Sequence, residues 1–316
     1  MPEPSAAPRR RRHGRLLRSL AALVVLSAVA GYLVVQYVTA GTGNPGCKVV
    51  SGRKGGASYE FTPEQAVNAA AITAVGTGRG LPERAVTIAL ATAIQESGLR
   101  NITHGDRDSL GLFQQRPSQG WGSREDIMDP AYAAGKFYDH LVKVDDYAEL
   151  PLTEAAQRVQ RSGYPEAYAK HETDATLLAA ALTGSAAATL TCDGRLAATA
   201  AAGPDGVREA LVRDFGRDAM DTAAEDVGGD EKPSSASPAP APTVSGRTVT
   251  VPVTALGKAQ GERGWQFAHW AVANASALHI QCVRYAGREW TAGNSQSQWR
   301  TAENAGSDSV RIITAQ

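Results

Sequence analysis

One apolar run stands apart from the rest of the chain. Leu20 to Val38 is broken only by Ser27, Gly31 and Gln36, and a membrane span needs roughly 20 apolar residues. Further on, apolar positions recur at helical spacing and the helix starts are well marked. Thr62-Pro63-Glu64-Gln65 combines an N-cap, a proline in the first turn and a glutamine placed to close a capping box. Leu81-Pro82-Glu83, Asp129-Pro130, Thr153-Glu154 and Pro165-Glu166 open further helices. Val207, Leu211, Val212 and Phe215 predict another over 195–220. From Glu231 to Thr243 the chain alternates Pro, Ala and Ser, which predicts a semi-extended linker. The end of the chain changes period. Thr248–Val251, Ile280–Tyr285 and Ser309–Thr314 predict strands around a helix from Gly264 to Leu278 that lines up Trp265, Ala268, Val272 and Ala275.

These patterns divide the chain into a tail (1–18), an apolar anchor (19–40), a Gly/Ser-rich stalk (41–58), a helical block (59–194), a helical extension (195–220), a linker (221–246) and a small α+β block (247–316). The expected class is mainly α, with at most a short hairpin in the glycine-rich loop 101–122. Four of the five tryptophans fall in the last block, as core residues more readily than as a binding platform. A wall-targeting role for that block rests only on the analogy of modules carried on Pro/Ala linkers.

Charge adds an orientation. Thirty-two basic residues balance 32 acidic ones over 316 residues, which argues against a dedicated nucleic-acid binder. Six arginines nevertheless crowd positions 9–18 ahead of the apolar run, so the N-terminus is expected in the cytoplasm and the bulk outside, facing the cell wall. The run outlasts the ~7–15-residue core of a signal peptide. An uncleaved single-pass anchor in the membrane is therefore favoured over cleavage after Ala40, which would give a secreted protein. Export permits disulfides. Cys47 and Cys192 bracket the helical block and are the natural pair, although three cysteines alone do not decide it. Cys282, beside Ile280 in an alternating stretch, reads as a buried thiol.

The chemistry concentrates between Arg84 and Gly122. Val86, Ala89, Leu90, Ala93 and Ile94 form an apolar stripe, and Glu96 falls on its rim at the end of the helix. Partial burial and the negative end of the helix dipole both favour a protonated acid there. Such an acid can donate a proton to a leaving oxygen. Glu96-Ser97-Gly98, followed by Ser109-Leu110-Gly111-Leu112-Phe113-Gln114-Gln115, resembles the paired E-S-G and S-x-G-L-x-Q signature of the lysozyme-like superfamily, in its soluble lytic transglycosylase branch. The run from Gly105 to Gly122 resembles exported, membrane-anchored actinobacterial members. The resemblance covers roughly residues 60–190. It implies a lysozyme-like α domain acting on peptidoglycan glycan strands, with Glu96 as sole acid/base and Ser97, Ser109, Gly111, Leu112, Phe113 and Gln114 around the sugar groove. The family's late A-Y-N-A-G segment, whose tyrosine approaches the glutamate, is absent. Gln160, Tyr164 and Tyr168 are the candidates to replace it.

The reaction turns on a second carboxylate. Glycoside hydrolysis usually uses two, about 5–5.5 Å apart for retention and about 6.5–9.5 Å for inversion. Asp106 and Asp108 are the candidates, with loop-shaping as their commoner role. One carboxylate suffices for a lytic transglycosylase that closes a 1,6-anhydro ring. Two would make a lysozyme-type muramidase, and a non-catalytic wall-binding protein is the reading outside enzymes. Trp121 and Phe113 are candidates for stacking on sugar. Arg107, Arg116, Arg158 and Arg161 are candidates for peptide carboxylates, against the commoner role of solvated faces. His104, His140, His171, His269 and His279 form no ligand-spaced cluster, so neither metal nor cofactor is expected.

Overall fold

In a computed structural model, which describes residues 46–52, 55–161, 165–194, 202–216, 242–253, 257–293 and 298–315, the first helix starts as its sequence predicts. Thr62 accepts from the Gln65 backbone at 3.3 Å, and Gln65 returns a bond to the Thr62 backbone at 2.7 Å. This closed box opens α1 (Pro63–Gly78). Helix α2 (Glu83–Ser97) is buried along almost its whole length from Ala85 to Ile94, because alanines and β-branched residues surround it and leave no charged face. Helix α1 and the later helices α4 (Pro130–Leu141), α5 (Leu152–Gln160) and α6 (Glu172–Thr183) pack against it, and the one-turn α3 (Arg124–Ile127) packs on α4.

The expectation of a mainly α molecule is corrected by two antiparallel sheets. Strands β1 (Cys47–Val50), β2 (Ser58–Phe61) and β3 (Leu190–Cys192) pair in the order β2-β1-β3. Two of them fall in or beside the segment read as a stalk. They are three or four residues long, too short for alternation to register, and β1 meets β3 only across the whole helical block. Cys47 lies directly opposite Cys192 in that pairing, and the two form a disulfide. A six-stranded sheet follows, in the order β4-β5-β9-β6-β7-β8. It comprises β4 (Thr243–Ser245), β5 (Thr248–Pro252), β6 (Ile280–Tyr285), β7 (Arg288–Thr291), β8 (Arg300–Thr301) and β9 (Ser309–Thr314).

Helices α7 (Gly203–Phe215) and α8 (Gly257–Ala273) join that sheet to the helical block. Residues 45–316 make one unit with one continuous core, rather than a helical domain and a detached module. Among the described residues no helix is long and apolar enough to cross a membrane. The expected anchor at 19–40 and most of the Pro/Ala stretch lie outside them.

The tryptophans explain the union. The indole N–H of Trp299 donates to the Leu190 carbonyl at 2.9 Å, and that of Trp290 to the Cys192 carbonyl at 3.2 Å. Trp270 donates to the buried Asp214 carboxylate of α7 at 2.8 Å. Gly184, at φ 87°, ends α6 so close to α8 that a Cβ would sit 1.8 Å from the Glu262 carbonyl oxygen. Apolar surface and satisfied indoles together favour docking over separation.

His269 lies in this seam, fully buried between Trp265 and Trp299. Its Nδ1–H donates to the Ala181 carbonyl at 2.7 Å, while Nε2 finds no partner. Burial pulls its pKa from 6.5 down to about 4. The unfolded chain therefore binds the extra proton first, and stability present above pH 6.5 drains away as pH falls toward about 4. The loss is up to about 3 kcal/mol. Denaturant midpoints from pH 7 to pH 4 should show this slope in the wild type and a shallower one in His269→Gln; equal slopes would refute it.

Candidate active site

Helix α2 delivers Glu96 at a rigid end. Gly98 turns left-handed at φ 64° and closes the helix. Gln65 donates to the Gly98 carbonyl at 2.7 Å and Asn68 to that of Leu99 at 2.8 Å. The buried Ser97 hydroxyl lies 2.8 Å from the Leu112 carbonyl and 3.1 Å from that of Ala93. Ser97 thus fastens the helix end to the glycine-rich loop and does not line the cleft.

That loop is built to present one side chain. Leu110 and Gln115 bond to each other through both backbone groups at 3.0 Å. Gly111 packs so closely on α3 that a Cβ would lie 2.7 Å from the Ile127 carbonyl oxygen. Leu112 and Phe113 are fully buried, and Phe113 stacks on Phe137 with centroids 4.8 Å apart. Both are core residues, which corrects the expectation of sugar contact. Gln114, left-handed at φ 48°, is the member of the run that reaches the cleft, together with the edge of the mostly buried Ser109.

The cleft measures about 980 Å³. Glu96, half-buried, lies on its wall with Asp106, Ser109, Gln114, Trp121 and Gln160. Trp121 rests on His140 at 4.3 Å between ring centroids, leaving an aromatic surface at the edge. Gln160 donates to the Phe113 carbonyl at 2.8 Å.

A 3₁₀ turn, Pro165–His171, packs against the end of α2. Tyr168 is buried within it and donates its hydroxyl proton to Glu96 Oε1 at 2.6 Å. His171, three residues on and so on the same face of a 3₁₀ helix, meets the Gln95 side-chain oxygen at 3.0 Å. Burial lowers its pKa, with Lys170 adding to the effect and Asp174 opposing it. Two successive residues of α2 are therefore gripped by one short turn. Tyr164 lies outside the described residues.

The two aspartates separate. Asp108 accepts from Arg116 Nε at 2.8 Å and from the Ser118 backbone at 2.9 Å. These bonds hold its carboxyl well below the usual carboxylate range. It shapes the loop. Asp106 is exposed and lines the cleft. Lys143 and His140 also line it; neither belongs to a motif, and only the packing of α4 against the loop reveals them. Among the described residues no group of three His, Cys, Asp or Glu side chains could hold a metal ion.

No curated protein matches the chain. A family model described as VldE, C-terminal domain, matches residues 218–312. The similarity thus falls on the segment that carries most of the six-stranded sheet, and Glu96 and its cleft lie outside it.

Proposed function

We propose that the protein is an extracytoplasmic lytic transglycosylase that cuts the β-1,4 bond between N-acetylmuramyl and N-acetylglucosamine residues of peptidoglycan. The observation that carries this reading is a half-buried glutamate on the wall of a large cleft, held at one oxygen by a buried tyrosine. The motif resemblance around Glu96 and Gln114 supports it. The Cys47–Cys192 disulfide supports an oxidising location outside the cytoplasm.

The geometry divides the work within the carboxyl group. Tyr168 occupies Oε1, so Oε2 is the oxygen that carries the proton. Glu96 passes that proton to the glycosidic oxygen as the bond breaks. As carboxylate it then takes the proton of the muramyl 6-hydroxyl, whose oxygen closes on the anomeric carbon. The product is a 1,6-anhydro sugar and no water is consumed. Tyr168 steadies the carboxylate during the second half of this cycle, since hydrogen bonds to a charged group are worth about 1.5–3 kcal/mol.

Tyr168→Phe keeps the buried ring and removes only the donor. It should lower kcat about 10- to 100-fold with KM little changed. Steady-state turnover of soluble glycan strands checks this, and an unaltered kcat would remove Tyr168 from the mechanism. The second reading, a muramidase, is favoured by Asp106, the other carboxylate on the cleft wall. Mass analysis of released muropeptides separates the two, because the hydrolytic product is heavier by one water.

A further inference from the structure

The wall contributed by the ends of α4 and α5 is cationic. Lys143, Arg158 and Arg161 all line the cleft. Arg158 is engaged by Glu154 at 2.5 Å. Lys143 and Arg161 are exposed, and neither has an acidic partner among the described residues. Asp139 and Asp146 stand four and three residues from Lys143 in sequence, but Asp139 pairs with Arg79 at 2.8 Å and neither pairs with Lys143 among the described residues.

The backbone of Arg161 sets the direction of its side chain. Arg161 ends α5 in the left-handed region, at φ 51°. That position favours glycine, because a Cβ crowds the following carbonyl there. Arg161 is one of eight described non-glycine residues at positive φ, and its cap fixes where the side chain leaves α5, at the cleft wall. Arg161 shares this feature with Gln114 on the same cleft.

We propose that Lys143, Arg158 and Arg161 form a carboxylate subsite, so that the cleft selects acidic glycan over neutral glycan. The inference rests on the glycan reading above and adds what the substrate must carry. Guanidinium and ammonium groups recognise carboxylates by charge-assisted hydrogen bonds, and arginine does so with a planar fork. Muramyl glycan offers carboxylates from two sources. One is the lactyl group of strands stripped of peptide, and the other is the stem peptide where it is attached.

The test is calorimetric titration of the full chain carrying Glu96→Gln, so that ligand is bound and not consumed. Four probes are used: an N-acetylglucosamine tetramer, a bare muramyl tetramer, a peptide-bearing tetramer, and the same peptide-bearing tetramer with its carboxylates amidated. Acidic probes should bind about tenfold more tightly than the neutral one, the size of one good charged contact. Adding Lys143→Ala and Arg161→Gly should erase that preference, leave neutral binding alone and not lower the thermal midpoint, since glycine suits the cap. Preference for the bare tetramer assigns the lactyl carboxylate; loss of affinity on amidation assigns the peptide. If the substituted chain binds acidic probes as tightly as before, the subsite is overturned and the glycan reading stands. If no tetramer binds and the wild type releases no muropeptides, both fall.

Discussion

Glu96→Gln should abolish release of muropeptides from purified peptidoglycan while leaving the thermal midpoint where it was. The amide is nearly isosteric with the acid and its oxygen still accepts from Tyr168, so the grip of the 3₁₀ turn on α2 survives. What disappears is the transferable proton. General acid–base catalysis by one placed group is worth about 10²–10⁴-fold. A group that acts as acid and then as base should cost at least the upper part of that range. Side-by-side muropeptide profiles of wild type and variant are the measurement. Undiminished cleavage by a folded Glu96→Gln protein would end the proposed mechanism. A comparable loss in Asp106→Asn, with hydrated products, would replace it by the two-carboxylate reaction.

Opening the disulfide should produce the largest change in stability. Cys47 and Cys192 close a loop across 145 positions of sequence. The chain-entropy account assigns such a loop roughly 5 kcal/mol, and removal of native bridges typically costs about 2–5 kcal/mol. The loss falls on a short sheet whose strands have few other pairings. The remaining thiol offers little rescue. Cys282 is buried, and burial, reinforced by Glu289, pushes its pKa up to about 11. It therefore supplies almost no thiolate for exchange. Thermal unfolding with and without reductant, with free thiols counted, checks the prediction. An unchanged midpoint in fully reduced protein would mean that β1 and β3 hold each other without the bond.

How much of this could be read from the chain depends on the range of the interactions involved. Local chemistry was legible. Thr62 and Gln65 are three residues apart, and their mutual bonds need no knowledge of the fold. Glu96 falls at a helix end because Gly98 follows it. Questions decided by distant packing were not. Phe113 sits within a motif yet stacks on Phe137 from a helix that begins at Pro130, so its role as core follows only from tertiary structure. Asp106 and Asp108 are two residues apart, and only the position of Arg116 and Ser118 assigns one to the loop and leaves the other to the cleft. Choosing Tyr168 over its neighbours required the 3₁₀ turn, which no period announces. The short strands β1 and β3 escaped because each contributes only two buried apolar residues to a pattern that needs several. The docking of the last block was hidden for a different reason: a Pro/Ala stretch suggests separation, whereas the indoles that cancel it donate to backbone carbonyls, which sequence does not mark.

The manner in which Trp290 and Trp299 latch onto strand β3 also limits what the proline–alanine stretch can do. Gly216 and Pro242, on either side of it, belong to a single packed body, so the six-stranded sheet is not a grappling module free to swing away from the helical block. Substitutions that remove those indole bonds should therefore loosen the sheet from the helical block.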